Sequence, residues 1–170
     1  MSDDVQSIRS RTVSWEDPLI AAEALTGMSG IAQLQAITRG ELPAPPIARL
    51  LGFTLLEVTE GRAVFEVTPA EYHYNPIGVV HGGVAATLLD SAMGCAVQSM
   101  LPQGTGYTTL ELKVNLVRSL TLETGPVRAI GTIIHLGGRI ATAEARIVDA
   151  QDRLYAHAVT TCMIFRPGGK

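Results

Sequence analysis

The chain has 170 residues, of which 46% are apolar and 17% charged. This length suffices for one domain with a buried core, and the composition argues against a disordered chain. The formal net charge of −3 at pH 7 argues against nucleic-acid binding through a basic face. The small charged fraction also favours burial of part of the surface in an oligomer.

Two cysteines, Cys95 and Cys162, lie in apolar segments without metal-ligand spacing and predict free thiols in a reducing compartment. The first ten residues are polar and lack the apolar core of a signal peptide. The apolar stretch Val79–Met100 is long enough to raise the question of a membrane span, but His81 and Asp90 within it favour a buried helix. We therefore expect a cytoplasmic protein that does not enter a membrane.

Residues 1–46 are predicted to form an N-terminal helical extension, and residues 47–170 the main domain. A proline at a first helical position, a serine N-cap and a glycine stop indicate the helices. In chain order the predicted extension contains a loosely ordered segment (Met1–Asp17) with Trp15 as a candidate anchor, a helix (Pro18–Leu25), a second helix (Ser29 to Gly40) and a Pro-rich connector (Glu41–Pro46). We expect the extension to pack on the main domain, with a place at a subunit interface favoured over a lid.

Six segments of the main domain are predicted to be β-strands, because they are rich in β-branched residues and bounded by turn residues. They are Leu51–Val58, Arg62–Thr68, Thr108–Val117, Gly125–His135, Arg139–Asp149 and Leu154–Phe165. Short connections between consecutive strands predict an antiparallel sheet. In the third strand, strict alternation predicts Leu110 and Leu112 on the core face and Thr109 on the opposite face.

The segment between the second and third strands contains a turn-rich loop from Asn75 to Gly83 and a helix predicted over Val84–Met100. This helix is apolar on nearly all sides, so other structure should surround it. One central helix wrapped by about six antiparallel strands is an α+β arrangement.

Asp90 is the one charged residue inside the predicted central helix. A buried carboxylate is costly unless it is paired or has a function. Its neighbours one turn away, among them Ala86, Thr87 and Gly94, are small and leave room for another backbone or a ligand. Taken alone, the pattern leaves two interpretations open, a structural acid satisfied by internal partners and a catalytic carboxylate.

The pair Gly82-Gly83 comes just before the predicted helix, where backbone N–H groups lack intrahelical partners and carry partial positive charge. Such groups bind anions or a developing oxyanion, although a glycine pair by itself more often makes only a turn. Gly82 and Asp90 are eight residues apart, which is about 12 Å along a helix. If both act on one carbonyl group, a symmetric dimer has to complete the site.

The motif N-P-x-G-x-x-H-G-G, followed seven residues later by a helix-borne Asp, resembles the hotdog-fold acyl-CoA thioesterases, specifically their PaaI-like, phenylacetate-pathway branch. The third and fifth predicted strands also resemble the corresponding strands of that family, and the similarity spans roughly residues 50 to 165. The resemblance implies a hotdog fold, with a sheet wrapped around one helix and sites shared between two subunits. It further implies a homo-oligomer, which is either a dimer or a homotetramer built as a dimer of dimers.

The resemblance also implies a role for each motif residue. Asp90 corresponds to the catalytic carboxylate, as nucleophile or as general base for water, and Gly82 to the N–H that polarises the thioester carbonyl. His81 and Asn75 correspond to residues that shape the oxyanion loop and help to position the thioester or water. Thr109 corresponds to a strand hydroxyl that helps to place the attacking water, with Thr108 as the alternative.

CoA is expected to be part of the substrate, and no separate cofactor or metal is implied. Arg118, Gly138 and Arg139 lie at predicted strand ends that contact the nucleotide end of CoA in related enzymes, and arginine suits phosphate. Solvated charge at a strand end is the alternative explanation for the two arginines. His, Cys and Asp do not cluster at ligand spacing, and the G-x-S-x-G motif of a serine hydrolase is absent.

The sequence thus predicts hydrolysis of an acyl-CoA thioester, with an aryl-acyl or medium-chain group, to a free acid and CoA. The main alternative is a non-catalytic protein that binds or senses acyl-CoA on the same fold. A hotdog hydratase or dehydratase is disfavoured because those enzymes use a different Asp/His arrangement. A purely structural oligomer would leave Asp90 and the glycine loop unexplained.

Overall fold

The computed structural model describes residues 8–166, so the ends of the predicted extension and of the main domain, residues 1–7 and 167–170, lie outside the described residues. Four α-helices are described: α1 (Pro18–Gly27), α2 (Gly30–Thr38), α3 (Pro46–Leu51) and α4 (Gly82–Gln98). The strands are β1 (Phe53–Thr59), β2 (Arg62–Val67), β3 (Gly106–Leu116), β4 (Val127–Leu136), β5 (Ile140–Val148) and β6 (Leu154–Phe165).

The six strands form one antiparallel sheet in the order β1-β2-β4-β5-β6-β3. Helix α4 lies along one face of this sheet and contributes Leu88, Leu89 and Met93, which are fully buried, to the core. A Cβ atom at Gly131 of β4 would lie 2.3 Å from the carbonyl oxygen of Ala92, so glycine is needed where helix and sheet approach most closely. The predicted α+β arrangement is confirmed. Within the described range no helix is both long and apolar enough to cross a membrane.

Strand β3 forms one edge of the sheet and contains a β-bulge that the sequence reading missed. Thr109 pairs with Cys162 of β6, and Glu111 pairs with the next residue, Thr161, so Leu110 is the extra residue. A bulge reverses the inward and outward alternation. The predicted facing of Leu110 and Thr109 was therefore wrong, since Leu110 is 56% exposed and Thr109 points to α4.

Helix α2 of the extension packs against β1 and α4, and helix α1 packs against α2. Asp17 caps α1, and Ser29 caps α2 as predicted, with its hydroxyl accepting a bond from the N–H of Ala32. Trp15 is 58% exposed and does not anchor residues 8–17, which precede α1. Arg11 does so instead, because its guanidinium donates to the carbonyls of Arg49 and Leu50.

Helix α3 was also missed, since the sequence reading assigned Leu51 to a strand and Glu41–Pro46 to a rigid connector. Pro46 occupies the first turn of α3, where a missing N–H costs nothing. Gly52 ends the helix with φ of +69° and turns the chain into β1. The predicted boundary between extension and main domain thus falls at the first residue of α3.

Candidate active site

The loop before α4 is organised by the side chain of Asn75. Its Oδ1 accepts bonds from the backbone N–H groups of Ile77 (3.1 Å) and Val79 (3.3 Å). The backbone N–H of Asn75 donates to the carbonyl of Val79, and Gly78 provides the positive φ of the turn. Asn75 therefore shapes the loop that leads into the helix.

His81 is the N-cap residue of α4, and its Nδ1 accepts a hydrogen bond of 2.9 Å from the N–H of Gly83. Because Nδ1 accepts, the proton of the neutral ring lies on Nε2. The backbone N–H of His81 donates to the carbonyl of His73. His73 is buried, and burial lowers its pKa, so its ring is a neutral support for the loop.

Gly82 and Gly83 are the first two residues of α4, which begins two residues before the predicted start. The cap satisfies Gly83, but the N–H of Gly82 has no acceptor anywhere in residues 8–166. It points from the positive end of the helix dipole. A cavity of about 270 Å³ adjoins it and is lined by Asn75, His81 and Arg118 among others.

Asp90 lies two turns further along α4 and is half-buried. Its Oδ1 accepts a hydrogen bond of 3.0 Å from the hydroxyl of Thr109 on β3. In the described part of the chain the second oxygen, Oδ2, has no donor and is not buried. The carboxylate is thus oriented through one oxygen and open to a ligand through the other.

The groups around Asp90 stay protonated at neutral pH. Burial, assisted by the negative charge of Asp90, raises the pKa of the Cys95 thiol to about 12. Burial likewise raises the pKa of Tyr107, whose hydroxyl packs over Gly94, one turn from Asp90. Cys95 is therefore excluded as a thiolate nucleophile at neutral pH. No group of three or more His, Cys, Asp or Glu side chains able to hold a metal ion occurs in residues 8–166.

Arg118 lies just beyond β3, in the same cavity as Gly82. Its Nε donates to the carbonyl of Leu154, and its guanidinium lies 5.7 Å from the ring centroid of Tyr155. Tyr155 is held by Asp149. Burial alone would raise the pKa of Asp149, but hydrogen bonds from Arg153, Gln151 and Tyr155 lower it to about 2. Asp149 therefore remains an anion and accepts a hydrogen bond from the hydroxyl of Tyr155, which lines this cavity.

Gly138 and Arg139 lie at the other end of the sheet. Arg139 accepts a backbone bond from Ile164, near the end of β6, whereas Arg118 contacts Leu154 at its start. The ten residues between these contacts span about 33 Å of strand. Within one chain, Gly138 and Arg139 are thus separated from Gly82 and Arg118.

Comparison with known proteins identifies the family. The profile of the thioesterase superfamily matches residues 77–156, the segment from the loop through α4 to the start of β6. The predicted resemblance to this family is thereby confirmed over that segment.

Individual relatives agree with this assignment. The chain is 26% identical to the 1,4-dihydroxy-2-naphthoyl-CoA hydrolase of Listeria monocytogenes over 67% of this chain and 89% of that protein. A phenylacetic acid degradation-related protein of Ralstonia eutropha matches with 26% identity and a TM-score of 0.69, over 76% of this chain and 98% of that one. The PaaI protein of the E. coli phenylacetic acid degradation operon shares the fold, with 24% identity and a TM-score of 0.69 over 84% of this chain and 98% of that chain.

The predicted hotdog fold and the predicted thioester hydrolase are thereby confirmed. In this thioesterase, the structure joins Asn75, His81 and Gly82 in one loop and Thr109 to Asp90, and it places Arg118 beside Gly82. It leaves Gly138 and Arg139 apart within one chain. Sequence reasoning did not place Tyr107 or Cys95 near Asp90. The small residue Gly94 was the available signal, because it leaves room for another group to approach the helix there.

Proposed function

We propose that this thioesterase hydrolyses an acyl-CoA thioester to a carboxylic acid and CoA, using the carboxylate of Asp90 and the backbone N–H of Gly82. One observation carries the proposal. Thr109 orients Asp90 through Oδ1, while Oδ2 stays open. A carboxylate that is held through one oxygen and open at the other is the arrangement that a general base or a nucleophile requires.

Two routes are consistent with this arrangement. As a general base, Asp90 removes a proton from water while the oxygen of that water attacks the thioester carbon. As a nucleophile, Asp90 attacks the carbon itself and forms an acyl-carboxylate anhydride, which water then hydrolyses. In both routes the C–S bond breaks, the CoA thiolate takes up a proton, and the Gly82 N–H stabilises negative charge on the carbonyl oxygen.

A dimer brings the two groups together. Helix α4 runs antiparallel to β3, since Gly82 lies beside Leu116 at the end of the strand and Asp90 is bonded to Thr109 near its start. If two β3 strands pair antiparallel around a two-fold axis, the Leu116 end of one lies opposite the Thr109 end of the other. Gly82 of one subunit then faces the partner's Asp90.

The same pairing accounts for the proposed CoA contacts. Arg118 follows the end of β3, and the start of β3 pairs with the end of β6, next to Arg139. In an antiparallel dimer, Arg118 of one subunit and Gly138 and Arg139 of the partner therefore lie at the same side. We propose that they bind the phosphates at the nucleotide end of CoA.

Exposed apolar residues support association. Leu116 and Val117, at the end of the edge strand β3, are 56% and 54% exposed, and a long edge strand tends to pair with another chain. Further apolar residues, Ile140, Val159 and Met163, are exposed on strands β5 and β6 and would suit a dimer of dimers, a homotetramer. Cys95 and Cys162 are free thiols, which suits a cytoplasmic location.

The test is a thiol-release assay over a panel of acyl-CoA thioesters, from acetyl through octanoyl to aryl-acetyl. We expect saturable release of CoA, with an apolar acyl group as the best substrate. If no thioester is hydrolysed while calorimetry shows that CoA esters bind, the proposal fails and the non-catalytic binding or sensing protein takes its place.

A further inference from the structure

A cavity of about 370 Å³ lies between the N-terminal extension and the C-terminal half of α4. Its volume falls within the usual range for small-molecule sites, about 300–1,000 Å³. The extension contributes Ala22, Thr26 and Leu34, and the main domain contributes Cys95, Tyr107 and Phe165. None of its lining residues carries a charged side chain, since Cys95 and Tyr107 remain protonated.

The wall that the extension supplies is fixed to α4. The N–H of Gly30 donates to the carbonyl of Leu101 (3.0 Å), and the buried side chain of Gln98 donates to Gln33 (3.4 Å). A Cβ atom at Gly30 would lie 1.8 Å from the carbonyl oxygen of Gln98, so α2 touches the backbone of α4 at this point. The extension is therefore a docked wall of the cavity rather than a movable lid.

The cavity lies on the same side of α4 as Asp90, one to two helical turns further along the helix. On a helix with about 3.6 residues per turn, Thr87, Ser91, Gly94 and Cys95 lie on the same side as Asp90, within an arc of about 140°. All four are small, and the hydroxyl of Tyr107, which lines the cavity, lies over Gly94. Cys95 and Tyr107 line the cavity and lie close enough to Asp90 for its charge to add to the effect of burial on their pKa values.

We infer that this cavity holds the acyl group of the substrate, and that the extension thereby determines which thioesters are accepted. The inference rests on the proposed function, because it places the thioester carbon at Asp90 and lets the acyl group extend from there past Tyr107 towards Cys95. The uncharged lining selects an uncharged, apolar acyl group over one with a second carboxylate. Ala22 and Thr26 of α1, together with Gln33 and Leu34 of α2, form the part of the wall that the main domain does not supply.

Ala22→Phe tests the inference, because Ala22 is exposed on α1 and a larger side chain there fills the cavity without disturbing the core. The probes are two thioether analogues that cannot be hydrolysed, S-octyl-CoA and S-ethyl-CoA, with affinities measured by calorimetry. We expect the variant to bind S-octyl-CoA about tenfold more weakly than wild type. Its affinity for S-ethyl-CoA, whose short chain stays near Asp90, should not change.

Glu23→Phe is the matched control, since Glu23 is exposed on the same helix but does not line the cavity. It should change neither affinity. The inference is overturned if Ala22→Phe leaves the S-octyl-CoA affinity unchanged, if it weakens both ligands equally, or if neither ligand binds to wild type. The two proposals can fail separately. If Ala22→Phe weakens only S-octyl-CoA binding but wild type hydrolyses no thioester, the cavity assignment stands and only the proposed hydrolysis is refuted.

Discussion

Asp90→Asn should retain the fold and lower kcat/KM for the best acyl-CoA substrate by about 10²–10⁴-fold, the usual contribution of a positioned acid or base. Asparagine has the same shape as aspartate, and its amide oxygen can still accept the hydrogen bond of Thr109. It cannot take a proton from water at neutral pH and is a poor nucleophile. The loss should therefore appear mainly in kcat, measured by thiol release under saturating substrate.

Asp152→Asn is the matched control for this substitution. Asp152 is exposed in the turn between β5 and β6, with φ of +61°, a conformation that asparagine also tolerates. It should keep wild-type activity and melting temperature. Two results would contradict a catalytic role and indicate a structural one. The first is near wild-type turnover by Asp90→Asn, and the second is a large fall in its melting temperature with a proportional loss of activity.

Gly82→Pro should lower kcat by about 10²–10³-fold, the typical effect of removing one oxyanion donor. Proline at the first helical position removes only an N–H that has no intrahelical acceptor, and its fixed φ suits a helix start. The preceding residue, His81, already has the extended ψ of 133° that a following proline requires. The helix should therefore form normally while the proposed donor is lost.

Gly82→Ala separates the loss of the N–H from the gain of side-chain atoms. A Cβ atom at this position meets the Cδ1 of Leu116 at 2.5 Å, and Leu116 is half-exposed and can turn aside. Alanine keeps the donor, so this variant should retain most of the activity. Equal losses in the alanine and proline variants would mean that crowding by Leu116, and not the N–H, is responsible.

Local sequence signals were sufficient for most of the fold. Strand positions, the apolar central helix and the Ser29 cap follow from periodicity and from residues that act within one turn. The start of α4 was misplaced by two residues because glycines usually precede a helix, whereas here His81 caps the helix and the glycines lie inside it. Helix α3 was missed because the prolines of the connector suggested irregular chain.

The site depends on contacts that the sequence does not encode locally. Strict alternation placed Thr109 away from α4, and only the bulge at Leu110 turns its hydroxyl towards Asp90. The family resemblance had pointed to Thr109 without explaining how it reaches the carboxylate. The cavity under the extension joins Ala22 to Cys95 and Tyr107, which lie 73 and 85 residues further along the chain. Such tertiary proximity leaves no periodic signal.

Complementation between the Asp90→Asn and Gly82→Pro chains is the most direct test of a site shared by two subunits. Mixed dimers, isolated with a different affinity tag on each chain, contain one site with both substitutions and one site with neither. We expect these dimers to recover about half of the wild-type activity, while each parent variant alone remains inactive. Mixed dimers as inactive as their parents would contradict the account and confine catalysis to a single chain.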